Sequence, residues 1–201
     1  MQSPHVASPF LAALRARHAA TGVMALDHLE ARATYEGALV FGLSAALNAR
    51  IEAIRASIPC RAPEALLLAP HLTVLFLGRW PGAQLDEFRR ALRTLSAKVE
   101  VVMNELGVFE NAHAITSIHV RATAATEARA LHDHAVEECR RAGWQPQTPF
   151  VGDAYLPHVT LVDGICEPFS RRRELTCAAP SFGTVALSDL HIIGKRIEEV
   201  S

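Results

Sequence analysis

Two short stretches of the chain are written in the same words. Pro70-His71-Leu72-Thr73-Val74 and Pro157-His158-Val159-Thr160-Leu161 both read Pro-His-apolar-Thr-apolar. Each sits in an apolar run rich in aliphatic and β-branched residues, the composition of a buried strand. In a strand, residues i and i+2 share a face. His71 and Thr73 therefore point one way while Leu72 and Val74 point the other, and His158 and Thr160 repeat the pattern. A strand serving only the core has no reason to place a His and a Thr side by side on one face, and still less to do so twice. Two imidazoles can act as acid and base, and two hydroxyls can hold an anion, so His71, Thr73, His158 and Thr160 are the candidate reacting and binding groups.

The rest of the chain is arranged around that duplication. Ala38 to Leu43 reads as a buried strand. Ser44 is a good N-cap, and Leu47, Ile51, Ile54 and Ile58 follow at helical spacing. The first motif strand comes next, ended by Gly78 and Pro81-Gly82. Leu85, Phe88, Leu92 and Leu95 mark a helix, and Val99 to Val108 a strand. Ile115 to Arg121 then reads as a strand. A helix capped by Thr123 or Thr126 runs to Ala142, with Ala128, Leu131, Ala135 and Cys139 on its inner side. The second motif strand follows, and Thr184 to Ile193 reads as a closing strand. Each half thus contains strand, helix and His-x-Thr strand. Internal repetition of this kind predicts two units related by a pseudo-twofold axis. The expected fold is α+β, with two pseudo-symmetric lobes of antiparallel-rich sheet, outer helices and a central cleft.

Residues 1–35 stand apart as an N-terminal helical extension, and residues 36–201 form the bilobal domain. Phe10 to Ala20 has helical periodicity, with Phe10, Leu11 and Leu14 on one side. Thr21-Gly22 stops it, and Met24 to Ala33 reads as a second short helix. Packing onto the domain is the expected role, with capping of the cleft or contact with a partner as the alternatives.

Composition narrows the function. The formal net charge of −1 argues against a broad non-specific nucleic-acid surface, which needs a basic excess. The four cysteines, Cys60, Cys139, Cys166 and Cys177, have no C-x-x-C spacing, so they read as reduced structural thiols. With no signal-peptide pattern, a cytoplasmic location is the expectation. The apolar run from Ala65 to Gly78 is interrupted and too short to span a bilayer. No metal-ligand run such as H-E-x-x-H and no glycine-rich phosphate loop is present, so neither a metal nor a cofactor is expected. His132 and His134 lie two apart on a helix and make a poor metal pair. His119, on a strand of the second half, reads as a core or cleft-rim residue. His5, His18, His28, His113 and His191 have no partner pattern. Arg171-Arg172-Arg173 reads as a solvated loop.

If the two pairs face each other across a cleft, one neutral imidazole can take a proton from water and the other, as imidazolium, can protonate a leaving oxygen. An ordinary His pKa near 6.5 suits both roles. Thr73 and Thr160 would hold non-bridging oxygens of a phosphoryl group, with no metal required.

The stretches PHLTVLFLG and LPHVTLV closely resemble the signature of the two-histidine phosphoesterase superfamily, which includes 2′-5′ RNA ligase-like proteins and RNA 2′,3′-cyclic phosphodiesterases. The resemblance runs from about Ala38 to about Ile193 and leaves the first 35 residues uncovered. It implies hydrolysis of a 2′,3′-cyclic phosphate, on a nucleotide or an RNA end, to a 2′-phosphate. His71 and His158 would be the catalytic residues. The resemblance leaves open a 2′-5′ RNA ligase or 2′-5′ oligonucleotide phosphodiesterase, and a non-catalytic nucleotide- or RNA-end-binding module is the competing class. It also implies aromatic and basic residues at the cleft rim. Phe41, Phe76, Phe109, Phe150 and Tyr155 are the aromatic candidates, with Phe41 and Tyr155 grouped with Thr73 and Thr160 as substrate-binding. Two departures stand out. Asp163 occupies a place where many relatives carry a basic residue, and Ala114-Ile115-Thr116-Ser117 lacks the Arg that ligase-type relatives often place there. Both favour a small cyclic phosphate or nucleotide over a long RNA. The expected state is a monomer with no stable protein partner.

Overall fold

The computed structural model describes residues 8–58, 68–92, 98–112, 114–145, 148–168 and 181–197, the side chains of 164–168 excepted. His5, His113, Arg171, Arg172, Arg173, Cys60 and Cys177, and the side chain of Cys166, lie outside what is described.

Helix α1 (Pro9–Thr21) starts at Ser8, whose Oγ accepts the Leu11 N–H, and ends at Gly22 with φ of 67°, the left-handed geometry that glycine tolerates. The second short helix expected over 24–33 is not formed. Met24–Ala25 is a strand, β1, paired to the far end of the chain at Ile193 and Gly194. An isolated helix that short would be marginal in water, whereas pairing with a sheet edge satisfies the same backbone groups. Strand β2 (Thr34–Gly42) leads to α2 (Ala45–Ser57), which is capped by Ser44 as its sequence predicts. Next come β3 (His71–Pro81), α3 (Gly82–Leu92), β4 (Val99–Glu110), β5 (Ala114–Ala124) and α4 (Thr126–Arg141). Neither threonine caps α4 through its side chain; the N-cap is Ala125, and Thr123 Oγ1 donates to Asn104. β6 (His158–Pro168) carries the second motif.

The expected single closing strand is two strands. β7 (Gly183–Leu187) pairs with β4, and β8 (Asp189–Ile197) inserts between β1 and β2. The chain crosses at Ser188 from one half of the molecule to the other, so each half obtains a fourth strand.

All eight strands form one antiparallel sheet in the order β1-β8-β2-β3-β6-β5-β4-β7. The fold is α+β, and its two lobes are the halves of this one sheet. They meet at β3 and β6, the two motif strands, where a single registered pair, Leu72 opposite Val159, spans the seam. Leu72, Val74, Val159 and Leu161 are fully buried in the main core, with side chains of α2, α3 and α4. The helices cross over: α2, from the first half, packs on β6, and α4, from the second, packs on β3. On the opposite face of the first half, Phe10 and Leu14 of α1 cover Val40, Ala69 and Ile193 in a smaller core. No helix among the described residues is long and apolar enough to cross a membrane.

Candidate active site

The seam between β3 and β6 brings the two motifs together. Because the strands are antiparallel and Leu72 faces Val159, His71 falls beside Thr160 and Thr73 beside His158. His71, Thr73 and Thr160 line a single open cavity of about 650 Å³ together with Arg55, Phe76 and Asp163, a volume typical of small-ligand sites. His158 flanks it, close enough for its charge to lower the pKa of His71.

The two imidazoles are held alike. His71 Nδ1 lies 2.7 Å from the Ala69 carbonyl, and His158 Nδ1 lies 2.6 Å from the Leu156 carbonyl. A carbonyl only accepts, so each Nδ1 carries a hydrogen and each Nε2 is left to accept or give up a proton. The intervening prolines explain the arrangement. They hold the preceding residue extended, so that in both motifs the carbonyl at i−2 turns back to the ring.

Strict alternation along the motif strands fails just past the threonines. In β3 the register against β2 slips between Leu39 and Val40, leaving Val74 as an extra residue; in β6 the register against β5 slips between Ile118 and His119, leaving Leu161 extra. Each bulge shifts the phase of its strand by one. Phe76 and Asp163, each three residues after its motif threonine, are thereby turned onto the cleft face. Phe76 is 41% exposed.

A bulge also frees carbonyls from the ladder, and they are met from the helix of the opposite half. On β6, Arg55 of α2 donates Nε to Leu161 O at 2.7 Å and Nη2 to Thr160 O at 2.9 Å, while its Nη1 reaches Leu68 O at 2.9 Å. On β3, His132 Nδ1 of α4 donates to Val74 O at 2.7 Å, and the Tyr155 hydroxyl donates to Thr73 O at 2.9 Å. The His132 and Tyr155 rings stack at 4.0 Å. One arginine does in one half what a stacked pair does in the other.

This arrangement corrects two substrate-binding assignments. Tyr155 is buried at 6% exposure behind the first motif strand, and its hydroxyl is already committed to Thr73 O. Phe41 is fully buried in the core, paired with Leu72 on the face away from the cleft. Neither ring is open to a ligand. Arg55 escaped sequence reading, although there was a signal: it follows Ile51 by four and precedes Ile58 by three, a lone cation on the apolar stripe of α2.

The electrostatics divide the pair. Burial lowers the pKa of His71 to about 4, with Arg55 and then His158 pushing the same way against the Ala69 hydrogen bond. Burial also lowers that of His158, but there the Leu156 hydrogen bond and the Asp163 charge oppose it. Phe109 stands edge-on to His158 at 5.0 Å and stacks on His119 at 4.2 Å. His119 is buried, its ring nitrogens have no hydrogen-bond partner among the described residues, and burial takes its pKa to about 3. Among the described residues, no group of three or more His, Cys, Asp or Glu is placed to hold a metal ion.

Comparison with known proteins places these features. The model of the 2′-5′ RNA ligase superfamily matches residues 43–192. Among solved structures, Escherichia coli LigT in complex with 3′-AMP superposes with a TM-score of 0.61 at 18% identity, covering 80% of this chain and 88% of that one. E. coli LigT in complex with phosphate gives 0.60 at 16% identity, over 81% and 87%. A Thermus thermophilus protein gives 0.53 at 21% identity, over 78% and 86%. At these identities the likeness is one of fold. No curated protein matches the chain in sequence.

Proposed function

The chain belongs to the 2′-5′ RNA ligase superfamily, a superfamily of phosphoesterases, and on that premise we propose that it hydrolyses a 2′,3′-cyclic phosphate to a 2′-phosphate by two-histidine acid–base catalysis. One observation carries the assignment of roles: two imidazoles with free Nε2 atoms stand in opposite charge settings, with Arg55 acting on His71 and Asp163 on His158. Environments that push two titratable groups apart mark the base and the acid. His71, kept neutral, is the base, and His158 is the acid.

In the proposed reaction His71 Nε2 takes a proton from water as the water oxygen bonds to phosphorus. The bond from phosphorus to the 3′-oxygen breaks, and His158 donates its Nε2 proton to that oxygen. The bound phosphate anion favours the imidazolium in both rings, bringing them nearer the operating pH. Thr73 and Thr160 donate to the non-bridging oxygens, where charge builds up in the transition state. Acid, base and oxyanion donors are all side chains of this chain, so the reading is metal-independent. Phe76 offers its exposed ring to a base. That LigT binds 3′-AMP and phosphate supports a nucleotide-sized ligand. With a 5′-hydroxyl in place of water as the nucleophile, the same groups would form a 2′-5′ linkage as the bond to the 3′-oxygen breaks, which makes ligation a second arm of the assay.

The test is turnover of 2′,3′-cyclic nucleotides with chelator present. His71→Ala and His158→Ala should each lower kcat by about 10²–10⁴-fold, the double variant by less than the product, and Thr73→Ala or Thr160→Ala by roughly 10- to 1000-fold. Single variants that melt normally and react at the parent rate would refute the mechanism. Affinity for these nucleotides with no turnover by the parent would favour the binding module instead.

A further inference from the structure

The family match begins at residue 43, so α1, β1 and β2 lie before it. Yet α1 reaches the site. Phe10 is fully buried over Gly42, a position so close that a Cβ there would lie 2.5 Å from the Phe10 Cβ. Its ring stands edge-on to His71 at 6.2 Å and stacks on His191 at 5.6 Å. The same relation recurs in the other half, where Phe109 is edge-on to His158 and stacked on His119. The aromatic neighbour of the first motif histidine is thus brought in by the N-terminal extension. The start of the helix is tied down by Ser8 Oγ, which donates to Asp189. Its far end, Ala20 and Thr21 with Val23 beyond, lines the cavity that holds His71, Thr73 and Thr160.

We propose that the segment from Ser8 to Val23 is a wall of the active-site cleft that sets substrate length, admitting a single nucleotide and stopping a chain that would continue past it. This rests on the reading of the cleft as a phosphodiester site. A strand of RNA leaving the cavity across the first half would meet this wall, because α1 roofs Val40 and Ile193 there. The charges agree. Among the described residues, the cations lining the cavity are Arg55 and Lys195, set against Glu36 and Asp163. Arg55 is committed to three carbonyls and Glu52, and Lys195 pairs with Glu36 at 3.3 Å. A second or third phosphate would meet no uncommitted cation among these lining residues, whereas polynucleotide binding depends on such contacts.

The experiment is calorimetric binding, which needs no turnover, on the full chain. The two probes are adenosine 2′-phosphate and an adenylate trinucleotide ending in a 2′-phosphate. The parent should bind the mononucleotide at least ten-fold tighter. Opening the wall with Thr21→Gly and Val23→Ala together should shrink that ratio three-fold or more. Ala20→Trp, a change at an exposed position that needs no repacking, should weaken the mononucleotide five-fold or more by narrowing the cavity. Equal binding of both probes by the parent, or wall variants that change both probes by the same factor, would overturn the proposal. Loss of the hydrolysis reading would show differently, as discrimination between the probes without turnover of a cyclic nucleotide.

Discussion

Removing Arg55 tests how the motif strands are held at the seam. Its side chain is 6% exposed and makes three hydrogen bonds to carbonyls at 2.7–2.9 Å, plus one to Glu52 at 3.0 Å. Arg55→Met keeps the bulk and deletes the donors. A hydrogen bond to a charged group contributes about 1.5–3 kcal/mol net, which for three carbonyls sets a ceiling of about 9 kcal/mol. Two effects lower it. Cleft water can reach some of the freed carbonyls, and the variant no longer buries a cation, whose desolvation already lowers the Arg55 pKa. Glu52, at 37% exposure, can be solvated when left alone. The expected loss is about 2–4 kcal/mol, and for a domain of this size about 2–4 °C of Tm per kcal/mol, so about 4–16 °C in all. Arg55→Lys should fall between, because an ammonium cannot span carbonyls on two segments as a planar fork does. Thermal melts and urea midpoints give the answer, and Arg55→Met within 2 °C of the parent would refute the staple. A second readout is independent of stability. Arg55 lowers the His71 pKa, so its removal raises it, and the acid limb of kcat/KM should move to higher pH.

Asp163 raises the His158 pKa, so Asp163→Asn should lower it and move the alkaline limb of kcat/KM to lower pH, cutting the rate at pH 7.5 by about three- to ten-fold; a limb that stays in place or moves up would remove His158 as the acid. Stability should fall on acidification. His71, His119, His132 and His158 all have pKa values lowered mainly by burial, His71 to about 4 and His119 to about 3. Below about pH 6.5 the unfolded chain therefore takes up protons that the folded chain does not. Urea midpoints should be level from pH 8 to 7 and drop from 6.5 toward 4, and a midpoint as high at pH 4.5 as at 7.5 would contradict the burial. Gly42→Ala should lift Phe10, since its Cβ would lie 2.5 Å from that of Phe10; overpacking of this kind costs about 1–3 kcal/mol, and an unchanged melt would mean that α1 does not sit on β2.

The shared face of each His-x-Thr pair was legible in the sequence because a strand has a fixed period. Two His-x-Thr pairs in apolar runs can face only one way, and their duplication set them in two related halves. Helix starts such as Ser44, and the inner stripe of Ala128, Leu131, Ala135 and Cys139, followed from local rules for the same reason: their partners lie within one turn. Alternation broke down where a partner strand intervened. The slips that leave Val74 and Leu161 unpaired arise from pairing with β2 and β5. No local period could place Phe76 and Asp163 in the cleft, or send Arg55 and His132 to carbonyls that exist only once the bulges form. Phe41 and Tyr155 were misplaced likewise, since an aromatic ring reads the same at a rim or in a core, and burial is decided by what packs on it. The reach of α1 to His71 was equally out of view. It depends on Gly42 leaving room and on Asp189, far along the chain, meeting Ser8. Periodicity is a property of the chain and its covalent geometry, whereas register, bulges and the far partners of polar groups are settled only when distant segments compete for the same hydrogen bonds and the same space.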